Sequence, residues 1–234
     1  GAIWALIWIG GMAPINLFGY EFSLGWFGYV IGAFYLVWML NLYNFMDGID
    51  GLASVEAICA CVGACLVYWI AGHTSLAIAP LVLAMAVSGF LAWNFPPAKI
   101  FMGDAGSGFL GIVLAVMSLY AAWTNPLFLW AWLILLGVFI VDATFTLIRR
   151  LLRGDKVYEA HRSHGYQYAS RQYGSHRAVT LTIAAINLLW LVPVAILVVM
   201  QYIDGVAGVV LAYVPLVLLA FKFHAGELEI AGKA

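Results

Sequence analysis

Charged side chains are scarce in this sequence. Asp, Glu, Lys and Arg together make up 9% of its 234 residues, whereas a soluble domain carries roughly 25%. The mean hydropathy is +1.01, and the chain contains ten tryptophans. These values exclude an ordinary soluble domain and indicate an integral membrane protein.

Cysteine is also rare, and the beginning of the chain lacks the features of a secretory signal. The three cysteines, Cys59, Cys61 and Cys65, fall in one apolar run. We interpret them as small core residues, with no disulfide framework or metal cluster. Gly1 already lies in an apolar segment, without a basic region before it or a cleavage site after it, which excludes a signal peptide. We therefore expect that the beginning of a longer protein is absent.

Apolar runs long enough to cross a bilayer, about 20 residues each, recur along the whole chain. Turn residues such as Gly72, Pro96-Pro97 and Asp204-Gly205 separate them. The sequence shows no internal repeat and no low-complexity linker, so we predict one all-α polytopic membrane domain over 1–234. The eight predicted spans are 1–17 (short), 26–43, 52–71, 76–93, 107–123, 127–148, 178–200 and 205–222.

The basic residues predict the orientation of these spans. If 44–51 is cytoplasmic, alternation places 94–106, 149–177 and 223–234 on the same side. All ten Lys and Arg then lie in or beside these four stretches. The loops predicted on the opposite side contain none, as the positive-inside rule requires. These opposite loops are 18–25, 72–75, 124–126 and 201–204.

The first polar motif is NLYNFMDGIDGLA at 41–53, at the end of an apolar run. Its amide and carboxylate oxygens, with no thiol nearby, suit a hard cation such as Mg²⁺ that is shared with substrate phosphates. Gly48 and Gly51 would allow positive φ and the close approach of a ligand to the backbone. The alternative is a helix-ending loop, in which Asn, Asp and Gly are common for structural reasons.

The second motif is KIFMGDAGSGFLG at 99–111, just before an apolar helix. Ser107 and the first backbone N–H groups of that helix would hold an anion, and Asp104 suggests an accompanying metal. Helix capping alone is the alternative for both residues. Phe101 would present an aromatic face to a nucleobase or, alternatively, anchor the chain at the membrane surface.

The third motif is the long polar stretch 149–177, which has seven Lys/Arg against two acidic residues. Such a stretch can bind anionic lipid headgroups without any chemistry. The motif AHRSHGYQ within it combines His161, Arg162 and His164 with nearby tyrosines, which favours a folded diphosphate or sugar site. A metal pair formed by the two histidines is a weaker alternative, because no third ligand lies near in sequence.

The three motifs, in this order and at these intervals, resemble the polyprenyl-phosphate N-acetylhexosamine-1-phosphate transferases (glycosyltransferase family 4). That superfamily includes the enzymes that initiate O-antigen and enterobacterial common antigen synthesis, and phospho-MurNAc-pentapeptide translocase. The HRSHGYQ form is most similar to the O-antigen initiating branch. The resemblance implies transfer of a sugar 1-phosphate from a UDP-sugar to undecaprenyl phosphate, which yields undecaprenyl-diphospho-sugar and UMP and begins the synthesis of a lipid-linked envelope polysaccharide such as lipopolysaccharide.

The resemblance also implies a role for individual residues of the first two motifs. Asn44 and Asp104 would coordinate Mg²⁺, with Mn²⁺ as the alternative ion, and Asp47 would support the same polar centre. Asp50 would bind uracil through a hydrogen bond, and Phe101 would stack on it.

In the third motif, His161, Arg162 and His164 would hold the diphosphate and the sugar, and Asp142 would orient the basic stretch. The expected partners are undecaprenyl phosphate, a UDP-N-acetylhexosamine or deoxy relative, the lipid bilayer of the bacterial inner membrane and a second copy of the chain, but no nucleic acid. The predicted catalytic residues are Asp47, Asp104, His161, Arg162 and His164, and the predicted substrate-binding residues are Asn41, Asp50, Phe101 and Ser107.

One feature of the resembled family is missing from these residues. Members carry a paired-aspartate motif, DDxxD or similar, upstream of the helix that begins this chain, and usually have ten or eleven helices. We therefore expect the chain to be the carboxy-terminal portion of that fold, with about three helices absent and with its own activity in question. The alternatives are a catalytically incomplete fragment and a membrane transporter or lipid-binding protein.

Overall fold

A computed structural model describes residues 1–155 and 162–227, and helices make up most of that part of the chain. One short antiparallel hairpin, which pairs Asn16 with Glu21, interrupts the helical pattern near the beginning. The elements are α1 (Ala2–Ile9), β1 (Ile15–Leu17), β2 (Tyr20–Phe22), α2 (Phe27–Met46), α3 (Leu52–Ile70), α4 (Ile78–Asn94), α5 (Gly103–Thr124), α6 (Leu127–Leu135), α7 (Gly137–Arg153), α8 (Gly165–Tyr173), α9 (His176–Ile186), α10 (Val192–Val199) and α11 (Gly205–Lys222).

The polytopic all-α architecture is confirmed. Six helices of the described part are long and apolar enough to cross a membrane, and the bent pair α6–α7 makes up to seven. These seven correspond to seven of the eight predicted spans. The prediction for 1–17 is wrong, because α1 ends after eight residues and Gly10 and Gly11 follow it with φ of +89° and +80°. Only glycine adopts such angles readily, so the helix ends there and the hairpin begins.

Two of the spans are irregular within the membrane. The axes of α6 and α7 differ by 72° across a break at Leu136. Between α9 and α10 the chain forms a π-helical segment, Asn187–Leu191, so that the two helices continue as one span from His176 to Val199. Such breaks and π-bulges are found mostly where a side chain or a functional site requires them.

The predicted sidedness of the polar stretches agrees with the packing. At one end the Tyr166 hydroxyl donates to the carbonyl of Phe45 at 2.9 Å, and the Gly226 amide donates to the carbonyl of Ser163 at 2.6 Å. At the other end the Trp130 indole donates to the carbonyl of Asn16. The Ala98 amide donates to the Asp50 carboxylate at 3.1 Å, which brings the stretch 94–106 to the first of these ends. The stretches that carry the three motifs therefore meet at a single end of the bundle, which we call the motif end.

The stretch 149–177, predicted as a polar loop, is partly helical in its described residues. It contains the last turn of α7, the whole of α8 and the start of α9. Tyr166, Ala169 and Ser170 are buried on one face of α8. Residues spaced three and four apart share a helix face, so α8 packs this face against the bundle and leaves the charged side in water.

Candidate active site

The first two motifs meet where α2 ends and α5 begins. The Asn44 amide donates to the Ser107 hydroxyl at 3.3 Å. Gly111, one turn further along α5, makes this contact possible, because a Cβ at that position would lie 2.3 Å from the carbonyl oxygen of Met39. Any side chain at 111 would push the two helices apart. The backbones of α2 and α5 therefore approach closely enough for the ends of the two motifs to share one polar cluster.

Asp47 and Asp104 are the acidic members of this cluster. Asp47 is half-buried at the end of α2, and Asp104 is exposed in the first turn of α5. Burial, and then the neighbouring charge of Asp104, raise the pKa of Asp47 from 3.8 to about 7. The two carboxylates are thus close enough to repel each other, and a cation between them would relieve that repulsion.

The residues of the cluster fit a magnesium ion of the kind that is shared with substrate. Within residues 1–155 and 162–227, no group of three or more His, Cys, Asp or Glu side chains has the spacing of a complete metal site. Mg²⁺ commonly takes only one or two protein carboxylates and completes its shell with phosphate and water oxygens. The two carboxylates and the amide of Asn44 supply oxygen donors of that type.

Asp50 ties the first motif to its neighbours. Its carboxylate accepts a hydrogen bond from the amide of Ala98 at 3.1 Å and lies 3.4 Å from Nδ1 of His176. The Thr180 hydroxyl donates to its backbone carbonyl at 3.0 Å. Asp50 therefore joins three segments, beyond the uracil contact predicted for it. Phe101 lies between α4 and α5, in the segment that also contains Ala98, and 78% of its surface is exposed.

The two glycines of the first motif have different tasks. Gly51 has the predicted positive φ, +74°. The positive φ predicted for Gly48 is wrong, because Gly48 does not have one. Glycine is required there for another reason, since a Cβ would lie 2.1 Å from the Tyr166 hydroxyl. The absent side chain at Gly48 makes room for α8.

Asp142 orients the basic stretch, as predicted. Its carboxylate accepts hydrogen bonds from the amides of Gly165 and Tyr166, both at 3.0 Å, and lies 3.2 Å from Nδ1 of His164. His164 is only 2% exposed, and its ring stacks between those of Tyr166 and Phe45. Because a negative group accepting several N–H bonds holds a helix N-terminus firmly, Asp142 fixes the start of α8 and the orientation of the imidazole.

The remaining predicted residues occupy less constrained places. Arg162 is exposed, and its backbone carbonyl accepts a hydrogen bond from the guanidinium of Arg171. The Asn41 amide donates to the Val37 carbonyl, one turn earlier in α2, at 2.7 Å. His161 lies outside the described residues.

Asn94 is a connecting residue that the sequence reasoning missed. Its side chain is buried, accepts from the amide of Gly51 at 3.1 Å and donates to the carbonyl of Ile100 at 2.9 Å. It thereby links the first motif to the segment that carries Phe101. A single amide at the end of an apolar run, directly before Phe-Pro-Pro, was the available signal.

An apolar cavity of about 410 Å³ lies between α7, α8, α9 and α11. Asp142 and Tyr166 line one part of it, Ile183 and Leu216 contribute to its apolar wall, and Lys222 also borders it. The cavity therefore lies directly behind the residues that hold the basic stretch.

Fold and site together define a multi-pass membrane protein with a polar, oxygen-rich cluster at one end of its helices. Residues 1–122 match the family described as glycosyl transferase family 4. The chain belongs to glycosyl transferase family 4, the superfamily that its three motifs predict.

Two curated relatives are similar to this chain in sequence. The chain is 34% identical over 179 residues to a probable undecaprenyl-phosphate N-acetylglucosaminyl 1-phosphate transferase of Bacillus subtilis. The aligned region covers 76% of this chain and 50% of the relative. It is 33% identical over 153 residues to a phospho-N-acetylmuramoyl-pentapeptide-transferase of Streptococcus pneumoniae, with 64% and 44% covered. The chain thus spans about half the length of the curated relatives it matches.

Proposed function

We propose that the protein transfers an N-acetylhexosamine 1-phosphate from a UDP-sugar to undecaprenyl phosphate and releases UMP. The observation that carries this proposal is the meeting of two oxygen-rich motifs and a basic segment at one end of the bundle. Membership of family 4 and the names of the relatives support the reaction class. The motif end faces the cytoplasm of a bacterial inner membrane in this proposal, because the basic residues lie on that side.

In the proposed reaction, a phosphate oxygen of the lipid acceptor attacks the phosphorus that carries the sugar. The new P–O bond forms as the bond to the phosphate of UMP breaks, and UMP carries the electron pair away. Enzymes catalyse such transfers by positioning the substrates and neutralising their charge, rather than by forming covalent bonds to them. Mg²⁺, or Mn²⁺ in its place, would be held by Asn44 and Asp104 and would neutralise the diphosphate charge.

The chain's own residues would bind and orient the two substrates. Arg162 offers a planar guanidinium that bonds two phosphate oxygens at once. Asp142 takes Nδ1 of His164, so a contact of this imidazole with the substrate has to come from Nε2. Asp50 and Phe101 would hold the uridine, with the exposed ring of Phe101 as the stacking surface.

The apolar cavity supports the proposed lipid acceptor. It is bordered by membrane-spanning helices on one side and by the Asp142–Tyr166 connection on the other. An isoprenoid chain in this cavity would bring its phosphate to the motif end. Burial of its methyl and methylene groups would contribute roughly 0.8 kcal/mol per CH₂.

The test is transfer of radiolabel from a UDP-sugar to undecaprenyl phosphate by the full-length protein in lipid. We expect Asp104→Asn to abolish transfer while folding and membrane insertion persist, because the substitution removes a carboxylate charge without changing its size. Asp204→Asn, at the opposite end, is the matched control. Near-normal turnover of Asp104→Asn at ordinary Mg²⁺ would leave Asp104 as a helix cap.

Binding of nucleotide or lipid without any product would favour a catalytically incomplete protein, and passage of substrate across the bilayer would favour a transporter.

A further inference from the structure

Two buried polar side chains meet inside the bundle, about one helical turn in from the motif end, where α3 begins at Leu52. Glu56 lies in the second turn of α3 and is 0% exposed, and Asn187 begins the π-helical segment and is 1% exposed. A carboxyl group in such surroundings is costly. Even lenient insertion scales assign about 2.5–3.5 kcal/mol to an ionised residue at a helix centre, and intramembrane acids are accordingly rare.

The two side chains make one hydrogen bond and leave two oxygens over. The Asn187 amide donates from Nδ2 to Oε2 of Glu56 at 2.5 Å. The other carboxyl oxygen, Oε1, and the other amide atom, Oδ1, are both buried without a hydrogen-bond partner. Oε1 shares its carbon with Oε2, and Oδ1 shares its carbon with Nδ2. The two oxygens without a partner therefore belong to the same carboxyl and amide groups that form the hydrogen bond.

Two oxygens that both lack a donor are complementary if one of them carries a proton. A carboxylic acid and a primary amide can form a closed ring of two hydrogen bonds: the amide N–H donates to the acid carbonyl, and the acid O–H donates to the amide carbonyl. One proton on Oε1 would thus satisfy both orphaned atoms. An ionised carboxylate would leave each of them unsatisfied, at a cost of roughly 1–3 kcal/mol per group.

Among residues 1–155 and 162–227, no ion pair supplies Glu56 with a compensating positive charge. The titratable groups near it are the phenols of Tyr43 and Tyr213, from α2 and α11, and the thiol of Cys59 on its own helix. None of the ion pairs found among the described residues involves Glu56. The backbone amide of Phe139 also interacts with the carboxyl group. This amide by itself favours the ionised form, but it is uncharged and can also donate to the carbonyl oxygen of the neutral acid.

We propose that Glu56 is a buried proton-binding site, held as a neutral carboxylic acid in a two-hydrogen-bond ring with Asn187. The ring joins α3 to the span formed by α9 and α10. A second connection to the same span lies nearer the motif end, where the Thr180 hydroxyl donates to the carbonyl of Asp50, just before α3. The neutral pair thus fixes at depth the helix that supports Asp50 at the surface, and it needs no metal ion.

The first test is infrared spectroscopy of the full-length protein in lipid, with ¹³C-labelled glutamate. We expect a C=O stretching band of a protonated carboxylic acid at neutral pH, shifted by the label and absent from Glu56→Gln. Glu21→Gln, in the exposed hairpin, is the matched control and should keep the band. Failure to find a protonated-acid band that Glu56→Gln removes would overturn the proposal and would favour an ionised carboxylate bridged by water.

The second test measures thermal unfolding between pH 5 and pH 9. Glutamine can form the same ring, so Glu56→Gln should match the parent at low pH and equal or exceed it at high pH, where the parent must retain a proton that the unfolded chain releases. Asn187→Leu should lower Tm by roughly 4–8 °C, since it removes both bonds of the ring. A Glu56→Gln protein that loses as much stability as Asn187→Leu at every pH would refute the neutral acid.

Exchanging the two groups adds an internal check. Asn187→Asp places two carboxyl groups together, so its Tm should fall more steeply than that of the parent as the pH rises, because the folded pair then has a second proton to retain. Adding Glu56→Gln restores one acid and one amide, now in reversed positions. We expect the double variant to recover the pH dependence of the parent, and a double variant that remains as sensitive as Asn187→Asp would contradict the ring.

Discussion

Asp142 offers the sharpest test of how the basic segment is positioned. The proposed change is Asp142→Asn, which keeps the size of the side chain but replaces one acceptor oxygen with an NH₂ group. In the parent, the two carboxylate oxygens accept from the amides of Gly165 and Tyr166 and face Nδ1 of His164. One oxygen, Oδ1, serves Gly165 and His164, and the other serves Tyr166. Asparagine can satisfy at most one of these two sides.

The expected loss of activity follows from the hydrogen bonds that the substitution removes. If the asparagine oxygen takes the place of Oδ1, the amide of Tyr166 faces an NH₂ group and loses its acceptor. A buried donor left without a partner costs roughly 1–3 kcal/mol. If the whole cost fell on the positioning of the segment, kcat/KM would drop by roughly 5–150-fold, at 1.4 kcal/mol per factor of ten. The KM for the UDP-sugar should change less than kcat, because the proposed uridine contacts lie elsewhere.

The assay is steady-state transfer by the full-length protein, with the folded fraction determined for each variant. Asp204→Asn is the control, since the carboxylate of Asp204 also accepts two backbone amides, from Val206 and Phe18, at the opposite end of the bundle. It should cost stability without a specific loss of transfer. Equal transfer activities of the two variants, after correction for the folded fraction, would show that the hydrogen bonds of Asp142 do not position catalytic groups.

Three further expectations concern other parts of the site. Phe101→Ala should raise the KM for the UDP-sugar by roughly 5–150-fold, the value of one base-stacking contact of about 1–3 kcal/mol, whereas a loss confined to kcat would place the ring at the reacting phosphates. Burial and Asp104 raise the pKa of Asp47 from 3.8 to about 7. Without divalent ions, the folded protein therefore binds more protons than the unfolded chain between about pH 4 and pH 7, and its stability should fall as the pH rises through that range. Asp47→Asn should flatten that part of the Tm–pH curve, and an unchanged slope would mean that Asp47 does not contribute. Ile183→Trp, which fills part of the apolar cavity, should raise the KM for the lipid acceptor while Leu218→Trp, on an exposed face of α11, does not; equal values for both variants would exclude the cavity as the lipid site.

The sequence alone determined the class of the protein and the positions of the motifs along the chain. Scarce charge and repeated apolar runs require membrane helices, because a bilayer core tolerates few ionised groups and needs satisfied backbone bonds. The bias of Lys and Arg predicted that the motif-bearing stretches lie at one end of the bundle, and the structure brings them together there. The role of Asp142 was also predictable, through a family resemblance that relates an acid near a helix end to the basic stretch after it.

Only the tertiary structure decided which groups touch. Gly48 gives room to Tyr166, Asn94 connects two loops, and α1 stops at two glycines with positive φ. The pairing of Glu56 with Asn187 joins residues 131 positions apart. Periodicity and composition report how each segment meets the bilayer, but they carry no information about which distant side chain completes a buried hydrogen bond. That partner is set by the packing of whole helices, in which a buried polar group has to find its complement inside the protein because the lipid offers none.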